Sequence, residues 1–90
     1  MKVYVVEGNC GEYSYRTNWL VKGFIKKEAA ERFRDELQSL MVKHGFDLGS
    51  NYDNELGAKE VETLDEQFQR DYTGTHYAIH TLDLVESDQS

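Results

Sequence analysis

Apolar positions along the chain follow two periods. From Lys26 to His44, KKEAAERFRDELQSLMVKH, the residues Ala30, Phe33, Leu37, Leu40 and Met41 recur at three- and four-residue steps, which places them on one face of a 3.6-residue repeat and predicts a helix. The other face is charged. Lys27 and Glu31, Glu28 and Arg32, and Arg32 and Glu36 are opposite charges one turn apart, each such pair contributing roughly 0.2 to 0.5 kcal/mol to a helix. Lys43 and His44 suit the negative end of the helix dipole, and Gly45 can close the helix in the left-handed conformation. Three other stretches are strand-like. Lys2 to Glu7, KVYVVE, is β-branched and aromatic with apolar residues on both faces, as a central strand requires. Trp19 to Ile25, WLVKGFI, has Trp19, Val21 and Ile25 on one face and Leu20, Lys22 and Phe24 on the other, so the lysine-bearing face is expected outward. Gly23 is expected at a bulge or a close backbone approach. His76 to Val85 forms the third strand, entered through the turn Asp71 to Thr75.

Between these elements the pattern turns polar. Gly8, Asn9 and Gly11 break the first strand, and the run to Asn18 is expected as a long hairpin loop. Phe46 to Asn54 is expected as a second loop. Val61, Leu64 and Phe68 keep helical spacing, and Thr63 with Glu66 has the capping-box relation, so a short second helix is expected over about Ala58 to Gln69. The order is strand, strand, helix, short helix, strand. It predicts an α+β fold of two layers, a three-stranded, mainly antiparallel sheet with one long helix on one face. The back face of so small a sheet is a liability, with Tyr4, Phe24 and Tyr77 expected to leave an apolar patch that a homodimer would cover.

Ninety residues correspond to a single domain, with an ordered core over about residues 2 to 85 and a tail that frays from Glu86. The lone cysteine excludes an internal disulfide and is most easily kept reduced in a cytoplasm. MKVYVVEGN falls short of a signal-peptide core, and no run approaches a membrane span. Charge is divided unequally. Residues 1 to 46 carry eight basic and six acidic residues, a net of +2, whereas residues 47 to 90 carry two basic and eleven acidic, a net of −9. Such a half repels phosphates, disfavouring direct nucleic-acid binding, and attracts a basic partner surface.

Candidate chemistry is sparse. Cys10, between Asn9 and Gly11, could act as a nucleophile if a histidine served as its base, but no cysteine-enzyme signature surrounds it. His76 and His80 lie four residues apart in a strand, about 13 Å, too far to share one ion; they are expected as partly buried, hydrogen-bonded strand residues. Asn51, Asp53, Glu55, Gly57 and Glu62 occupy places of a calcium-loop pattern, which Leu56 breaks at the turn glycine and Lys59 opposes by charge. GNCGEY lacks the lysine and spacing of a phosphate loop. No cofactor or metal is therefore expected.

What remains is a surface for a protein partner. Tyr13, Tyr15, Tyr52 and Tyr72 fall in expected loops, Arg16 and Trp19 lie near the first pair, and aromatics with arginine are the types enriched at interface hot spots. Asp53, Glu55, Glu60, Glu62, Asp65 and Glu66 supply the acidic part of the same candidate surface. KVYVV, EYSYRTNWLVKGF running into a charged helix, and DYTGTHYAI opening the last strand together resemble short proteins of tailed phages and prophages. That resemblance implies a host bacterial cytoplasm and a small, non-enzymatic, acidic inhibitor of a host or defence protein. A CRISPR effector or other nucleic-acid-handling complex is one such target, its nucleic-acid site occluded. The alternatives are a structural homodimerising module and a small enzyme or ligand-binding domain using Cys10.

Overall fold

The computed structural model describes residues 1–11, 16–49 and 53–84. Tyr13, Tyr15 and Tyr52 lie outside the described residues, as do Ser50, Asn51 and the tail from Val85. The elements are β1 (Lys2–Cys10), β2 (Thr17–Phe24), α1 (Lys27–His44), α2 (Glu55–Glu62) and β3 (Thr75–Asp83). The sheet has the order β2-β1-β3, and both pairings are antiparallel. The expected α+β architecture is the one adopted, with KVYVVE at the centre of the sheet and α1 packed against one face.

α1 forms because its stripe is buried: Ala30, Leu37 and Met41 are inaccessible, and Phe33 and Leu40 are partly covered. Gly45 ends the helix at φ 78°, and Phe46 N–H donates to Met41 O at 2.8 Å. The one-turn charge pairs do not close to ion-pair distance; among the described residues the salt bridges are Arg34–Asp35 and those of Lys43, His44 and Arg70 with α2. Burial, not surface charge, therefore stabilises this helix.

The face assignment of β2 departs from strict alternation. Val6 pairs with Lys22 but Glu7 with Leu20, so the register slips by one residue at Val21. Such a bulge turns every residue beyond it to the other face. Trp19 and Phe24 thus both face α1. Phe24 packs on Phe33 with ring centroids 5.4 Å apart, and Lys22, expected outward, lies with its ammonium 5.5 Å from the Phe33 ring centroid. The bulge falls at Val21 rather than at Gly23. Tyr4, Phe24 and Tyr77 accordingly belong to the helix side, correcting the expected back-face patch. Register places Val3, Val5, Ala78 and Leu82 on the open face instead, with His76 and His80. Both histidines are exposed, not partly buried as expected.

Between sheet and helices lies a core of Val6, Trp19, Leu37, Met41, Phe46 and Val61, closed by Phe68 and Tyr77. Trp19 meets Tyr77 edge to face at 6.2 Å, and Phe46 meets Phe68 at 5.1 Å. Gly8 is required beneath Trp19, because a Cβ there would enter the indole ring.

Candidate acidic surface

The second helix starts earlier than the apolar spacing suggests. Asn54 is its N-cap, its side chain accepting from Gly57 N–H at 3.0 Å, and Ala58 and Val61 turn inward. Thr63 ends the helix, its hydroxyl donating back to Glu60 O at 2.7 Å. Thr63 and Glu66 therefore mark a C-terminus, not a capping box. Gly57 is what lets α2 approach α1, since a Cβ would stand 2.7 Å from the His44 ring.

This placement sorts the candidate acids. Asp53, Glu55, Glu62 and Glu66 are exposed, as are Arg16 and Tyr72, the latter at 74%. Glu60 is engaged: His44 Nε2 lies 2.7 Å and Lys43 Nζ 3.3 Å from its Oε1. The bonds from His44, then Lys43, hold its carboxyl below the usual carboxylate range. Glu55 is bridged by Arg70 at 3.4 Å. Asp53, Glu55, Phe68, Gln69 and Arg70 line an open depression of about 500 Å³ beside the start of α2. Leu56, 80% exposed, stands among these acids; in the sequence its one signal is the break it makes in the calcium-loop pattern, which says nothing of exposure.

Asp65 is the exception and leaves the partner-binding set. It is 2% exposed and serves the core: Trp19 Nε1–H and the Tyr77 hydroxyl donate to Oδ2 at 2.8 and 2.7 Å, and Gln67 N–H donates to Oδ1 at 3.0 Å. Burial, then the hydrogen bond to Asp65 and its charge, push the Tyr77 phenol far above its ordinary range. Nothing in the local sequence signals this carboxylate, whose partners Trp19 and Tyr77 lie 46 and 12 residues away.

Cys10 is 5% exposed. Burial pushes its thiol up, the Asp71 charge adds to the shift, and a hydrogen bond with Thr75 opposes it. A nucleophilic cysteine needs the opposite, a thiolate favoured by its surroundings, so the Cys10 reading loses its physical motive. Among the described residues no group of His, Cys, Asp and Glu could hold a metal ion, and no helix is long and apolar enough to cross a membrane. The turn into β3 is built by Asp71, whose Oδ1 accepts from Thr73 N–H at 2.9 Å, while Thr73 Oγ1 accepts from Gly11 N–H at 3.0 Å. Comparisons with protein-family models, with curated proteins and with solved structures find no match to this chain.

Proposed function

We propose that the chain is a non-enzymatic protein-binding module whose acidic α2 surface docks on a basic partner. The observation that carries this reading is the exposure of Asp53, Glu55, Glu62 and Glu66 on and beside one short helix, with Leu56 exposed on that helix and Tyr72 exposed in the turn into β3. Solvated carboxylates steer a basic surface, and a leucine and a tyrosine provide the apolar and aromatic contact that charges alone lack. The resemblance to short phage proteins supplies the setting: inhibition of a host or defence protein by covering a basic, nucleic-acid-binding site. The α2 carboxylates then take the place of backbone phosphates.

The test pairs the wild-type chain with a Glu55→Lys, Glu62→Lys, Glu66→Lys variant, each tagged and used to capture proteins from bacterial lysate at low and high salt. A partner held by the wild type at low salt, released by salt and lost in the variant, supports the reading. A partner retained by the variant overturns it.

A further inference from the structure

We infer that the outer edge of β3 from Ile79 to Asp83 is a pairing site for β3 of a second copy of this chain, joining two three-stranded sheets antiparallel across a two-fold axis. The inference does not rest on the acidic surface of α2.

The two edges of the sheet are treated differently by the fold. Along β2, the bulge at Val21 interrupts the ladder and Gln67 Nε2 donates to Leu20 O at 3.0 Å, so that edge is not a regular template for a further strand. Along β3, Met1 and Leu84 exchange hydrogen bonds in both directions, which sets the parity of the ladder. Val3, Val5, Glu7 and Asn9 therefore bond to Leu82, His80, Ala78 and His76, and the backbone groups of Thr75, Tyr77, Ile79, Thr81 and Asp83 point away from β1. The first two outward N–H groups are satisfied internally: Thr75 donates to Phe46 O at 2.9 Å and Tyr77 to the Gln38 side chain at 3.0 Å. Among the described residues, the N–H groups of Ile79, Thr81 and Asp83 have no such partner. The fold thus caps one half of this edge from α1 and the turn that follows it and leaves the other half as an open ladder, the ordinary template for strand addition.

A second observation falls at the same place. Met1, Leu82 and Leu84 are exposed at 71%, 41% and 52%. By ladder parity they share the open face with Val3 and Val5, beside the uncapped half of β3. Open backbone and exposed apolar side chains coincide at one corner of the sheet.

The occupant is read from the strand itself. With Thr81 opposite Thr81 of the partner copy, Ile79 faces Asp83 and His80 faces Leu82 across the axis. The two Asp83 carboxylates are kept apart, and each stays beside Lys2 on its own β1. The row Val5, His80, Leu82, Val3 then runs unbroken from one copy into the other, covering leucines that the isolated chain exposes. A strand that pairs with itself in this register meets no like charge.

Sedimentation velocity over a concentration series should show a monomer–dimer equilibrium. Thr81→Pro removes an outward N–H without touching the ladder to β1, as an edge strand tolerates, and should abolish the dimer while circular dichroism stays unchanged. Thr81→Cys should cross-link with itself on oxidation, because Cα atoms of a hydrogen-bonded antiparallel pair lie about 5.5 Å apart, within disulfide reach. Ala78→Cys, distant from the axis, should not, and the buried Cys10 stays out of the reaction. A wild-type chain monomeric throughout, or cross-linking through Ala78→Cys and not Thr81→Cys, overturns the proposal. So does a dimer untouched by Thr81→Pro and lost with Leu82→Lys, which would mean packing of open faces instead of edges.

Discussion

Asp65 shows how much one side chain can organise in a small core. Its carboxylate is buried yet accepts from an indole, a phenol and a backbone amide, tying the segment after α2 to β2 and β3 at once. Removing it strands two donors in a dry core, which costs more than the bonds themselves stabilise. Asp65→Ala should therefore lower unfolding free energy by about 3 kcal/mol, measured by urea denaturation, with Asp65→Asn falling between, because one acceptor oxygen survives. The phenol makes a separate prediction. Tyr77 has a raised pKa in the folded chain, so the folded state keeps its proton where the unfolded state gives it up. Its contribution is complete below the ordinary phenol value of about 10 and is lost as pH rises beyond it. The urea midpoint should fall as pH is raised above about 10, and Tyr77→Phe should remove part of that fall.

At the scale of elements, α2 depends on its cap more than a longer helix would, for eight residues supply few internal bonds. Asn54→Ala should cost about 1 kcal/mol, and amide exchange should quicken first in the turn around Gly57. This helix also marks where local pattern stops being informative. α1 was legible because its stripe, its last-turn cations and Gly45 are all neighbours in sequence and agree. For α2, the apolar spacing of Val61, Leu64 and Phe68 runs past the helix end, since Leu64 and Phe68 belong to the turns beyond Thr63, and Asn54 begins the helix upstream of any apolar residue that turns inward. In β2 Leu20 faces outward as expected, but Lys22 and Phe24 lie on the helix side, because the bulge at Val21 is a property of pairing with β1 and not of WLVKGF. Of the candidate surface, the exposed acids could be read from charge alone. Asp65 could not be separated from them, since burial is decided by Trp19 and Tyr77 arriving from distant strands.

The whole molecule carries a net charge of −7 with all of the negative excess in its second half, and that single property acts oppositely on the two interactions proposed. Docking of the α2 carboxylates on a basic surface is an attraction between exposed charges, which salt screens beyond about 8 Å at physiological ionic strength. Pairing of two β3 edges brings two like-charged chains together, so the same screening removes a repulsion and leaves the backbone bonds and buried leucines nearly untouched. Raising salt should therefore loosen the partner complex and tighten the dimer in the same preparation. Sedimentation velocity with the captured partner present at two salt concentrations measures both. Glu62→Lys with Glu66→Lys should weaken the first interaction while strengthening the second at low salt, because net charge falls to −3 without altering β3. Joint weakening of both by salt would mean that the dimer is held by charge and not by an added strand.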